Sequence, residues 1–211
     1  MRSLAYFVSD MAEVKENIET AIEIVRSNLK PVQTISEIEA RAIIGRYVAA
    51  VEGNFVPWMS AATLYCRSPQ GKFAAMENLD VEIRGNHPGM LRSFAKSSNS
   101  EPTLKDYNDV QEGVDLMRIF VSKANGLEIL TIMATLENVS SVFVPFLEKL
   151  AVKLGSEDFT YLSVHGEADI HHANQFIWAI DHEVKFYSDP LNLIRNSISM
   201  TLAYLDPIFN K

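Results

Sequence analysis

The sequence predicts an all-α bundle of about seven or eight helices. Three observations carry this: apolar residues recur at spacings of three and four, Pro and Gly punctuate the chain at helix-length intervals, and no stretch alternates as a strand would. Residues 9–29 place Met11, Val14, Ile18, Ala21, Ile22 and Val25 on one face, with Ser9 or Asp10 available as cap and Pro31 ending the run. The next helix opens on Ser36 and Glu39, an S-x-x-E capping box, and runs through Ile43, Ile44, Tyr47, Val48, Val51 and Phe55; Pro57 is expected to kink it, with WMSAATLYC continuing as helix. A third helix over 70–84 is broken by Gly85-Asn86-His87-Pro88-Gly89, and a short one from Met90 to Lys96 follows. The polar SSNSEPT, 97–103, is a connection of ordinary length. Residues 104–124 and 126–154 read as two helices parted at Asn125-Gly126, the second strongly apolar and bent at Pro145. Gly155-Ser156-Glu157-Asp158 stops that helix and caps another over Phe159–Phe186, and Ser188-Asp189-Pro190 opens the last, to about residue 206.

With 211 residues and 23.7 kDa, the chain is expected to form one domain over 1–211. An apolar share of 47% against 22% charged residues excludes a disordered chain. The 27 acidic and 19 basic residues give a net charge of -8 without any basic run, so no nucleic-acid partner is expected. Asp10, Glu13 and Glu16 follow the short apolar patch Leu4–Val8, which is no signal-peptide pattern. No run of about 18 uncharged apolar residues occurs, so no membrane is expected either. The lone cysteine, Cys66 in TLYC, cannot close an intrachain disulfide and suits a reducing compartment. The cytoplasm is the expected location.

The chemistry gathers around histidine. The chain has five, and His165, His171 and His172 fall within VHGEADIHHANQF. On a helix His165, Asp169 and His172 lie at about 0, 40 and -20 degrees and share a face, while Glu167 and His171 point away. Two imidazoles and a carboxylate on one face suit iron, manganese or zinc, whereas a soft metal would call for Cys or Met. The same spacing also fits a solvated stripe or a His/Asp capping pair. Glu137, in the apolar run ILTIMATLENVSSVFV, would carry a costly charge unless paired or metal-bound, although a Tyr, Asn or Arg could hold it. Glu82 and His87, in NLDVEIRGNH, add a carboxylate and an imidazole; each alone reads as a helix-surface or turn residue. Glu82, His87, Glu137, His165, Asp169 and His172 are therefore the candidate metal ligands. His171 and His182 are left to the surface or to supporting positions.

These motifs resemble the haem-oxygenase-like di-iron oxidases and oxygenases, a fold shared with thiaminase II and pyrroloquinoline-quinone synthase. Similar proteins carry an NL-x-D-E-like segment followed by a His, a lone Glu in a later apolar helix, and H-x3-D/E-x2-H; here these are NLDVE with Glu82 and His87, LEN with Glu137, and HGEADIHH with His165, Asp169 and His172. The likeness runs roughly from Ile35 to Trp178 and implies a haem-oxygenase-like bundle. It further implies two O2-activating Fe(II) ions, with Mn as a substitute, and Glu137 and Asp169 as catalytic carboxylates, Glu137 bridging. The reaction implied is oxidation of an amino acid, aryl amine or fatty acid by O2, and a homodimer is expected. The Glu82–His87 interval is shorter than in the aminobenzoate synthases of this family, and Asn28 and Leu147 stand where those enzymes consume a Tyr and a Lys, so that self-sacrificing reaction is not expected. Haem oxygenase activity needs a His near the N-terminus, and the first here is His87.

Phe55, Trp58, Met59, Met133 and Phe143 are candidate pocket lining and Arg84 a candidate clamp for a substrate carboxylate, against core packing and a solvated helix end. The rival reading is a metal-free or metal-storing helical binding protein of the same fold without oxidase activity. A thiaminase-II-like hydrolase would need a nucleophilic Cys in the pocket, and Cys66 is the sole candidate.

Overall fold

The computed structural model describes the backbone of residues 4–211 and the side chains of 11–166 and 170–211. Among the described residues there are nine α-helices, two short 3-10 turns and no strand. The helices are α1 (Leu4–Asn28), α2 (Glu37–Val51), α3 (Phe55–Tyr65), α4 (Pro69–Arg84), α5 (His87–Ser97), α6 (Leu104–Val121), α7 (Gly126–Lys153), α8 (Thr160–Glu183) and α9 (Pro190–Phe209). This is the all-α bundle that the sequence predicts, with nine helices among the described residues where seven or eight were expected.

Local chemistry sets the boundaries. Ser36 Oγ accepts the Glu39 N–H at the start of α2, and Ser68 Oγ accepts the Gly71 N–H at the start of α4, where Pro69 fills the first position. Thr103 with Asp106 and Asn125 with Glu128 form reciprocal capping boxes on α6 and α7. Two helix starts differ from the sequence expectation. The helix expected to run through Pro57 with a kink is two helices, parted at Glu52–Asn54, where Gly53 takes φ 75°. Pro57 is the third residue of α3, where its missing N–H has no intrahelical partner to lose. The helix expected from Met90 starts three residues earlier, at His87.

The core is one contiguous cluster built around α7, which packs against α8, α9, α1, α3 and α2. Ile129, Leu130, Ile132, Met133, Val139, Leu147 and Leu150 are all fully buried on it, each worth about 1.5–3 kcal/mol relative to exposure. Among the described residues α7 alone is long and apolar enough to cross a membrane, and most of that stretch is buried inside the bundle. Burying α7 on nearly every side brings a polar side chain on it into the interior, and Glu137 is such a side chain.

Candidate metal centre

Glu82 sits in the last turn of α4 and His87 is the first residue of α5. Between them the chain breaks at Gly85 and Asn86, the latter in the left-handed region at φ 54°. Asn tolerates this conformation better than most residues. The break folds the short interval back on itself, so that His87 Nδ1 stands 2.8 Å from Glu82 Oε1, both side chains almost wholly buried. On a single continuous helix two residues five apart would diverge.

The remaining donors come from α7 and α8. His165 Nδ1 lies 2.7 Å from the Tyr161 carbonyl oxygen, which makes it the N–H donor and leaves the Nε2 lone pair open to a cation, with Glu82 Oε1 3.9 Å from that nitrogen. Burial pushes the His165 imidazole below its ordinary pKa; the Glu82 carboxylate pulls it up, and His87 and His172 push it further down. The neutral imidazole is the metal-ligating form. One donor atom from each of Glu82, His87 and His165 lies within 4.8 Å of the others. Glu137, 5% exposed in α7, faces His172, whose Nδ1 is 3.7 Å from its Oε1. Donor atoms sharing one ion at bond lengths of about 2.1 Å lie about 3–4 Å apart, so both groups need only small adjustments to close on a cation. The Asp169 side chain lies outside the described residues.

Aromatic side chains brace the donors. The Tyr161 ring packs on His165 at 4.1 Å between centroids, and its hydroxyl shares a 2.7 Å hydrogen bond with Tyr47 from α2. An apolar cleft of about 730 Å³, mouth included, reaches Glu82, His87, Glu137 and His165 from one side. Phe55 and Phe143 line it, as expected from the sequence, with Tyr47, Leu136 and Tyr204. Trp58, Met59 and Met133 are buried in the core and are not among its lining residues. A second cleft of about 750 Å³ reaches Glu137 and His165 from the side of Ile170 and Ala173. His171 is exposed, and Arg84 is exposed with its Nε 2.7 Å from Asp80, outside the cleft.

The described donors are three imidazoles and two carboxylates without a thiolate, a borderline-hard set that fits iron. The profile of a family described as iron-containing redox enzyme matches residues 46–187, a stretch that takes in every one of these donors. The chain belongs to that family. No curated protein matches this iron-containing redox enzyme. Among solved structures a TenA homologue from Pseudomonas syringae pv. tomato is similar in fold, with a TM-score of 0.57 and 14% identity over 98% of this chain and 92% of that one. Cys66, which a thiaminase-like hydrolysis would require, is not among the lining residues of the cleft: it is buried at the end of α3, its Sγ 4.0 Å from the Gly126 carbonyl oxygen. Burial, with the Glu183 carboxylate adding to it, pushes this thiol up to about 12, far from the range of a nucleophile.

The sequence does not point to Tyr47, Tyr161, Tyr204 or the break at Asn86 as parts of the site. Only Tyr161 leaves a trace, standing one helical turn before His165 in YLSVH.

Proposed function

We propose that this iron-containing redox enzyme is an oxygen-dependent non-haem di-iron oxidase or oxygenase of a small organic substrate. The observation that supports it most is the meeting of Glu82, His87 and His165, which with Glu137 line an apolar cleft, Glu137 in turn facing His172. Glu82, His87 and His165 would hold one ion, and Glu137, His172 and Asp169 the other, with Glu137 the carboxylate that the family resemblance assigns to both. Two Fe(II) ions bound there would supply electrons to O2, and the oxidant so generated would take electrons from the substrate.

The protein's own part is positioning and exclusion. Tyr161 fixes the His165 tautomer by accepting its Nδ1–H, and its ring limits rotation of the imidazole. The aromatic and aliphatic walls keep bulk water from the reacting atoms. Tyr204 is pushed well up by burial and stays protonated at the wall of the cleft.

The test is iron bound per chain after anaerobic loading with Fe(II), with His172→Ala alongside, followed by O2 uptake and the optical spectrum on admitting air. About two irons, reduced in the variant, with O2 consumed and a transient visible band, is the expected result. Two irons without O2 consumption would favour metal storage, and little iron with no response would leave a helical binding protein.

A further inference from the structure

We infer that the apolar cleft takes a mostly apolar molecule bearing one amine, with Glu52 as the group that binds its ammonium; this rests on reading the cleft as the substrate pocket of the proposed centre. Among the described residues, the acidic ones lining it are Glu52, Glu82 and Glu137, and none of its lining residues is Lys or Arg. Glu82 and Glu137 are committed to the histidines of the centre. Glu52 is the carboxylate left over.

Its placement favours a cation twice. Glu52 caps the C-terminus of α2, donating its own N–H to the Val48 carbonyl, so the negative end of that helix adds to its charge. Gly53, in the left-handed region at φ 75°, turns the chain directly after it and also lines the cleft. Glu52 is held by Arg92, whose Nε stands 2.6 Å from its Oε1; Arg92 is 65% exposed and does not line the cleft. With Arg92 mostly in water, the pair is screened from that side and correspondingly weak. A ligand ammonium sheltered by Phe55 and the other apolar walls competes for the same carboxylate in a drier setting. Cations held by the histidines and glutamates of the centre would disfavour an ammonium beside them, so Glu52, apart from that cluster, would take the amine and leave the apolar part of the molecule towards the centre.

The probes are phenylpropylamine, phenylpropanol and phenylpropionate, matched in size and different in charge. Calorimetric affinity is measured for each on the full chain, both unloaded and anaerobically loaded with Fe(II). The expected result is an amine binding about ten-fold tighter than the alcohol, with the difference lost in Glu52→Gln and widened in Arg92→Gln, where Glu52 is released from its competing cation. The two variants move in opposite directions, so a general loss of fold cannot imitate the result. Phenylpropionate binding tightest and weakening in Arg92→Gln would overturn the inference in favour of Arg92 as a carboxylate clamp. Equal affinities, no binding, or an amine preference that survives Glu52→Gln would also overturn it. The amine preference is read on unloaded protein too, so it can stand where iron loading fails, and it can fail where iron and O2 uptake succeed.

Discussion

Replacing Gly85 by Ala tests how the break after α4 builds the centre. Gly85 has φ -68°, which any residue accepts, so an alanine with room would stabilise the protein by about 0.4–1 kcal/mol through the unfolded chain. There is no room. A Cβ would stand 2.6 Å from His87 Nε2 and 2.7 Å from both His87 Cδ2 and the Val81 carbonyl oxygen. Favourable carbon contacts begin near 3.5 Å, so the imidazole must retreat by roughly 0.8 Å. That motion gives up the 2.8 Å contact of Nδ1 with Glu82. Hydrogen bonds to charged groups contribute about 1.5–3 kcal/mol, which leaves a net loss of about 1–2 kcal/mol. For a chain of this size the loss is about 2–8 °C in Tm. Urea denaturation of the wild type, Gly85→Ala, His87→Ala and the double variant measures it. The cost of Gly85→Ala should shrink once His87 is gone, the remainder reporting the Val81 carbonyl. A Gly85→Ala protein at least as stable as the wild type, or an equal cost in both backgrounds, would refute the reasoning.

Three further outcomes follow from buried groups. Glu183, fully buried, accepts the Arg67 N–H at 2.7 Å, the Ser68 N–H at 2.8 Å and the Ser68 hydroxyl at 2.5 Å. Glu183→Ala strands those donors and should cost about 2–4 kcal/mol, read as a lower urea midpoint at unchanged slope. The Cys66 thiol should resist aromatic disulfide reagents at pH 8 until the chain is unfolded. Its folded pKa, about 12, exceeds its ordinary 9.0, so the stability it contributes is complete below pH 9 and is lost as pH rises towards 12, a loss that Cys66→Ala should flatten. His165 has the opposite sign: its pKa is depressed below 6.5, chiefly by burial, so its contribution is present above pH 6.5 and is lost as pH falls through the folded value. His165→Gln should remove that part of the acid slope in urea midpoints; an unchanged slope would show that the imidazole is not held neutral.

Local signals in the sequence carried furthest. The Ser36 cap, the Asn125-Gly126 boundary and the apolar period of α7 are decided within a few residues, and the helices begin where those signals stand, although Glu39 pairs with Lys30 rather than closing the expected box. The division at Gly53 was not legible, because a left-handed glycine is chosen by the direction α3 must take to pack on α4 and α7, and Pro57 is the louder local signal. Glu82 and His87 were legible as residues and not as neighbours. Their interval suits a pair only once Asn86 is known to turn left-handed between two helices. Tyr47 and Tyr161 meet across 114 positions, and Glu52 reaches the same cleft from the end of α2. Such pairings depend on which helices lie side by side, and no spacing along the chain encodes that.

The contacts between α4 and α8 fall in a regular order. Glu183 holds the Ser68 end, Gln175 Oε1 takes the Asn78 side-chain N–H at 2.7 Å, and His165 lies opposite Glu82. Numbers rise along one helix as they fall along the other, so the pair is antiparallel, and its outer contacts lie about 21 Å apart along α4 and about 27 Å apart along α8 at the rise of an α-helix. Slippage by one turn, about 5.4 Å, would break every rung at once. Glu82 and His165 are thus mounted on a stiff frame. His87 rides on α5, joined to that frame through the single left-handed residue Asn86. An arriving cation therefore meets three donors already gathered, two of them on helices that lock each other's register and the third held against Glu82 by the turn at Asn86.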